Sequence, residues 1–439
     1  MDIFFNQAPF ERLDWFEYGI SSINRTGAFI ACLIIACWIV SAVKQQWSFW
    51  VSLVLSSFFL YFLVQTQSRG ALIALAIAFP VFLFFSGIKL DRIRIIALVC
   101  VCILFALYSL QIGFADRISS MVAMESSSAN CRADIYLSGL KMLTDAPHGF
   151  ENIDSPAVIY YHWYQSPELS GRYVSMINSH LEFMCMHGIL LKLSYIFFWI
   201  LIFFLTFPKK GCIVSSVAFC VWGCFFISAS FSNVANYWPL WIAPILFLLS
   251  SLVENRNKLK NIKFWGSVFI STLLVVLLLF VCSITLPRDG KLYFNGESVY
   301  IGNPSNYPIL VLRPSSKILG NKLGMHLIAY AKENNKHVIL SEHFKNMQYG
   351  TVVICNDYDE DEMEKIHANR IIFFNSDFSL GLQKESLSGK DVLVVLGEFC
   401  HWKNREGWRN MAKANPHIKL EIMECTADYI PDWTCYLKE

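Results

Sequence analysis

Eight long apolar stretches limit what this chain can become. They run near residues 27–43, 49–66, 71–88, 95–113, 188–207, 212–231, 237–253 and 264–286. A helix that crosses a bilayer needs about 20 mostly apolar residues, and lipid tolerates only helices and closed barrels because every backbone polar group must be satisfied internally. Helical spans are therefore expected up to residue 286. Composition agrees, since only 16% of the 439 residues are charged, against about 25% in soluble domains. An ordinary soluble enzyme and a disordered chain are both excluded. Thirty-six basic and 34 acidic residues leave a formal charge of +2, so no nucleic-acid partner is expected. Asp2, Glu11, Arg12, Asp14 and Glu17 break up the start, so no cleavable signal peptide is expected. Lys192 stands near the start of its span, where a long stem snorkels to the interface.

Basic residues in short connections orient the spans. Alternate connections carry Lys44; Lys89, Arg92 and Arg94; Lys209 and Lys210; and Arg256, Lys258, Lys260 and Lys263, ten in all. The opposite short connections, 67–70 and 232–236, carry Arg69 alone. The basic side is expected to be cytoplasmic. Five segments follow: 1–26 outside, 27–113 with four spans, a long outer loop 114–187, 188–286 with four more spans, and an outer domain 287–439. The expected fold is a polytopic α-helical membrane protein of about eight spans, with a long periplasmic loop and a C-terminal α/β soluble domain.

Arg69, in Thr66-Gln67-Ser68-Arg69-Gly70, sits on the side that basic residues avoid. Such an arginine either snorkels to the interface or binds an anion at the outer face. In the loop, residues 132–143 carry Ala133, Tyr136, Leu137, Leu140 and Leu143 at helical spacing, and Pro147 and Gly149 end the run. Arg132 is expected in the first turn, where a cation opposes the helix dipole. It either pairs with Asp134 or Glu125, or joins free N–H groups in holding a phosphate. His180, in Asn178-Ser179-His180-Leu181-Glu182, opens the fifth span and can exchange a proton near neutral pH. His187 reads as a helix-packing residue. Tyr160, Tyr161, Trp163, Tyr164 and Tyr173, with His148 and His162, make the loop too aromatic for disorder. Such side chains serve sugar stacking and membrane anchoring alike, and Trp163, Tyr164 and Asn178 are candidate acceptor or glycan contacts.

Of fourteen cysteines, eight lie in or beside spans as small apolar residues. Cys131, Cys185, Cys355, Cys400, Cys425 and Cys435 remain as bridge candidates in an oxidising compartment, with pairing open. No spacing suggests a metal site.

The motifs resemble those of the O-antigen ligase and O-antigen polymerase (Wzy-type) superfamily. Ser68-Arg69-Gly70 before a span is similar to its Ser-Arg-Gly signature. Arg132 through Pro147-His148-Gly149 is similar to its arginine-led helix. Asn178-Ser179-His180-Leu181 with Gly188-Ile189 is similar to its histidine segment, and Ser22-Ile23-Asn24-Arg25-Thr26-Gly27 to its approach to the preceding span. In that register the family's His-Asn pair falls on Ile177-Asn178, with His180 three residues on. The likeness covers residues 20–253. It implies transfer of a glycan from undecaprenyl diphosphate to a lipid or glycan acceptor at the periplasmic face, metal-independent, inverting and without cofactor. Arg69 and Arg132 would hold the diphosphate and His180 would act on the acceptor hydroxyl. The partners implied are the lipid-linked glycan, its acceptor and membrane lipids. It also implies more spans than eight, so the chain is expected to be a fragment, a late start or half of a split enzyme.

In residues 287–439, apolar runs at 309–312, 338–340, 352–354, 371–374 and 392–396 alternate with helical patterns near 316–334, 359–368 and 403–414. This predicts a mostly parallel sheet, with no GxSxG, GxGxxG or P-loop signature. Glu398 and His401 follow a strand, where open α/β sheets place ligands, yet ordinary loop residues read the same way. Three alternatives stay open. A polymerase differs from a ligase only in its acceptor. A receptor or transport component would use the tail as a sensor. A metal-dependent oligosaccharyltransferase would need outer carboxylates, for which Asp116, Asp134 and Asp145 are the candidates.

Overall fold

The computed structural model describes residues 23–42, 46–88, 91–111, 127–151, 155–166, 169, 176–255, 257–287, 292–295, 298–313, 334–355, 358, 360–374, 376, 378–379, 387–397 and 401–423. The expectations placed on Lys44, Lys89, Asp116, Glu125, the His162 side chain, Tyr173, Arg256, Glu398, Cys400, Cys425 and Cys435 lie outside them. Most of the helical pattern near 316–334 does too.

Two compact units divide the chain. The first comprises Met1–Leu137, Ser175–Met184 and Leu190–Val281, the second Ser138–Val174, Cys185–Ile189 and Cys282–Glu439. In chain order the described helices are α1 Ile23–Cys37, α2 Gln46–Thr66, α3 Arg69–Ser86, α4 Arg92–Gln111, α5 Ser127–Asp145, α6 Pro156–Ile159, α7 Ser179–Met186, α8 Ile189–Thr206, α9 Ile213–Phe231, α10 Ile242–Asn255 and α11 Ile262–Thr285. Seven helices among the described residues are long and apolar enough to cross a membrane. The eighth expected span is shorter, because a 3₁₀ turn at Trp238–Trp241 precedes α10. Proline supplies the reason: Pro244 is tolerated in a first helical turn but would break a helix carried back through Trp238.

Three helices form the centre of the first unit. Ile30, Ala31, Ile34, Ile35 and Trp38 meet Ala71, Ala74, Ala78 and Phe82 of α3 and Val217, Cys220, Val221 and Cys224 of α9. The small residues of α3 recur at helical spacing, which lets backbones approach, and Cys220 Sγ reaches the Ala78 carbonyl at 3.3 Å. A second cluster joins Trp199, Trp222 and Phe225, with Trp241 packed against it. In contrast, α4 exposes Ile93, Ile96, Leu104 and Leu107. An apolar face of this kind is stable against lipid and costly against water. The chain is thus a multi-pass helical membrane protein. Lys192, expected to snorkel, is instead buried and engaged in a polar or electrostatic contact.

In the second unit the strands are β1 Leu292–Phe294, β2 Ser298–Ile301, β3 Ile309–Leu312, β4 Val338–Ser341, β5 Gln348–Cys355, β6 His367–Phe374, β7 Asp391–Gly397 and β8 Ile418–Met423. They form one sheet in the order β1-β2-β4-β3-β5-β6-β7-β8. The strands from β4 to β8 in that order are parallel, and β1 and β2 add antiparallel at the β4 edge. Continuous burial of β3 and β4 fits parallel strands covered on both faces. Helix α12, Glu360–Lys365, lies between β5 and β6 in the chain, and α13, Trp402–Ala414, between β7 and β8. Trp408 of α13 is fully buried against Phe373, and its indole N–H donates to the Ser376 carbonyl at 3.0 Å. Cys131, Cys185 and Cys355 are buried free thiols, not bridge partners.

Candidate functional site

The C-terminal end of α9 gathers the elements that carry the sequence candidates. A helix leaves its last carbonyls without intrahelical partners. Here side chains from three other elements take up carbonyls of its last turn and of the two residues that follow. The Tyr136 hydroxyl of α5 donates to the Ser230 carbonyl at 2.7 Å, and the Ser179 hydroxyl of α7 to the Ser232 carbonyl at 3.0 Å. Arg25 Nε of α1 donates to the Asn233 carbonyl at 3.2 Å, while its guanidinium lies 5.2 Å from the Tyr237 ring centre. These carbonyls also make the neighbourhood favourable for cations.

The turn before Arg69 fixes where α3 begins. Gln67 adopts φ +51°, and its N–H donates to the Val64 carbonyl at 3.0 Å. Thr66 Oγ1 accepts the Ser68 N–H at 3.2 Å, after which Arg69 begins α3. Two glycines permit the approach. A Cβ on Gly70 would lie 2.7 Å from Phe231 Cβ, and one on Gly27 would meet Ser68 Cβ and stand 2.7 Å from its Oγ. The Ser-Arg-Gly and Arg-Thr-Gly motifs thus have a steric meaning: they seat α1 and α3 on each other and on the end of α9.

Arg132 requires a correction. Its helix starts at Ser127, so Arg132 lies in the second turn and not the first. The polar run Ser127–Asn130 carries no apolar periodicity and hid that start. The free N–H groups of the helix start therefore do not lie beside Arg132, and its guanidinium stands without them. Its Nε is buried without a hydrogen bond, and its field reaches the Tyr136 hydroxyl one turn along.

Helix α7 is capped by Asn178, whose Oδ1 accepts the His180 and Leu181 N–H groups at 3.0 Å each. Ile177 just before it holds φ +49°, an uncommon conformation for a β-branched residue. His180 is buried in an aromatic cage. Ring centres lie 4.4 Å away for Phe226, 5.2 Å for Trp199 and 5.9 Å for Tyr195. Nε2 is 3.0 Å from the Phe226 carbonyl and Nδ1 is 2.8 Å from the Tyr195 hydroxyl. A carbonyl only accepts, so Nε2 carries the proton and Nδ1 accepts from Tyr195. Burial pushes the pKa down to about 4, with the Phe226 carbonyl pulling the other way. The ring is neutral near pH 7, and both nitrogens are engaged.

Sequence patterning does not single out Glu182 and Asn233. Glu182 is half-buried, and the Met176 N–H and the Asn233 amide donate to its carboxylate. Burial raises its pKa, against the lowering effect of those bonds and of the Arg25 charge. Glu182 Oε2, Asn233 Oδ1 and Ser228 Oγ are buried without hydrogen bonds. The asparagine cap at 178 is the signal that would have fixed the start of α7, and with it the opposed faces of His180 and Glu182.

Trp163 and Tyr164 belong to the second unit. They end a π-turn, Tyr160–Tyr164, and both rings meet Phe294 of β1. The Tyr164 hydroxyl donates to Asp145 Oδ2 at 2.8 Å. His187 is likewise in this unit, 3.1 Å from Glu151 Oε2. Among the described residues, no group of three or more His, Cys, Asp or Glu is placed to hold a metal ion.

Residues 53–196 match the family model described as O-antigen ligase. The match includes Arg69, Arg132, Asn178, His180 and Glu182, and makes this segment similar to the O-antigen ligase family. No curated protein and no solved structure matches the chain.

Proposed function

We propose that this O-antigen ligase family protein transfers a glycan from undecaprenyl diphosphate to an acceptor hydroxyl. The reaction takes place at the outer face of a bacterial cytoplasmic membrane, inverts the anomeric centre and uses no metal. The observation that carries this reading is that the elements bearing Arg69 and Arg132, two residues of the family-matched segment, meet at the end of α9. Tyr136, one turn from Arg132, holds the Ser230 carbonyl, and Gly70, next to Arg69, lies against Phe231.

Diphosphate leaves a sugar only when its developing charge is neutralised. Two arginines do this through preorganised bidentate contacts, which are strongest where water is excluded. The carbonyl-rich end of α9 offsets their own charge before substrate arrives. The acceptor oxygen must lie in line with the anomeric carbon opposite the departing phosphate. His180 we assign to positioning. With Tyr195 and Phe226 on its two nitrogens, it pins α7 against α8 and α9.

The test is an assay with the full chain in lipid nanodiscs. The donor is a labelled undecaprenyl-diphosphate trisaccharide, offered with lipid A core or with a second lipid-linked saccharide. Product on the first acceptor marks a ligase and on the second a polymerase. Absence of product on both defeats the reading.

A further inference from the structure

We infer that Glu182 takes the proton from the acceptor hydroxyl; this rests on the transfer reading above. Successive residues of an α-helix are rotated by about 100°, so Glu182 points away from the face that carries His180. His180 turns into the cage of Tyr195, Trp199 and Phe226. Glu182 turns to the segment after α9, whose Asn233 amide, together with the Met176 N–H from the turn before α7, fixes its carboxylate. That same segment receives Ser179 and Arg25, and it begins at the Phe231 side chain against which Gly70 is seated. Glu182 is thus tied to the segment beside which the elements carrying Arg69 and Arg132 meet.

Its two oxygens are not equivalent. Oε2 is buried and has no hydrogen-bond partner. A carboxylate oxygen held in that state is costly to a fold, and a purely structural glutamate would be expected to satisfy it. An incoming hydroxyl satisfies it and loses its proton there. Arg25 on α1 is the charged group acting on Glu182, while Asn233 and the Met176 backbone face it as neutral donors. Burial outweighs them and raises the affinity for a proton, the direction a general base working near neutral pH requires.

The step balances without a further reactant. The acceptor O–H bond breaks and its proton passes to Oε2. The oxygen pair forms the new bond to the anomeric carbon. The bond from that carbon to the phosphate oxygen breaks, and its electron pair leaves on the diphosphate between Arg69 and Arg132. Glu182 releases the proton to solvent before the next turnover.

The experiment uses the same full chain, donor and acceptors. Glu182→Gln should lower kcat by at least about 100-fold while leaving donor KM within about threefold. The wild-type kcat should fall on the acid side at a pH above the ordinary glutamate value of about 4.3. The Gln variant should lack that limb, and Glu182→Asp should keep partial activity with the limb moved. Should the Gln variant not insert, the Asp variant decides: a limb that stays in place overturns the assignment. An active wild type matched by an equally active Gln variant overturns Glu182 alone. A wild type that moves no glycan to either acceptor overturns the transfer reading and this proposal with it.

Discussion

Around Ser376 of the sheet unit, buried polar side chains are tied to main chain. Ser376 Oγ donates to the Ile354 carbonyl at 2.8 Å, and Trp408 Nε1 and Asn404 Nδ2 converge on the Ser376 carbonyl. At the end of α9 the pattern is different. Arg132 Nε, Glu182 Oε2, Asn233 Oδ1 and Ser228 Oγ are buried with no hydrogen bond. Buried polar atoms are satisfied in the great majority of cases, so each of these four exceptions calls for an explanation. The first arrangement uses polarity to hold a fold together. The second carries polarity that the fold does not consume, as a binding site for a charged substrate should.

Truncating a side chain from each region tests that contrast. Trp408→Ala removes a fully buried ring and its bond to Ser376, and should cost the sheet unit about 3–5 kcal/mol. Hydrogen exchange on the full chain should show lost protection in 309–423 and retained protection in α9. Arg69→Ala and Arg132→Ala should each lower transfer by about 100- to 1,000-fold. Arg132→Ala should nevertheless leave the thermal midpoint close to wild type, because its Nε holds no bond in the fold. A large drop in that midpoint would make Arg132 a structural residue and erase the contrast. Lysine at either position should not restore full transfer, since it lacks the bidentate fork.

Smaller effects sharpen the same comparison. Gly27→Ala places a methyl against Ser68 and should destabilise the first unit by about 1–3 kcal/mol, read from detergent melts. His180 has a pKa of about 4 when folded, below its ordinary value of about 6.5. Between those values the unfolded chain binds the proton and the folded chain does not, so stability falls as pH drops from about 6.5 to about 4. His180→Phe should flatten that slope, while an unchanged slope would deny the ring its neutral, buried state. Finally, a chelator should leave transfer unchanged, and strict dependence on a divalent ion would break the arginine-only account.

Much of the architecture was legible in the residues. The long spans follow from apolar length, because lipid leaves the backbone no alternative to the helix. The strands β3 to β7 follow from short apolar runs. The hairpin β1–β2 was missed although Asn295-Gly296 between two apolar segments is a turn signal. Strand β8 was missed because Ile418–Met423 alternates apolar and polar residues too briefly to stand out. At the site, Arg69, Arg132 and His180 could be picked out by their motifs, yet their surroundings could not.

By itself, then, the sequence determined which segments are helical spans, which enter the sheet, and which charged residues stand where a span would exclude them. These are properties of local composition and period, and each is set by how a short segment meets lipid or water. Only tertiary structure decided that His180 spends both nitrogens on Tyr195 and Phe226, and that Glu182 keeps an oxygen unspent. Hydrogen-bond satisfaction depends on partners 15 and 46 residues away from His180, and no local pattern reports which atoms such distant partners leave unused.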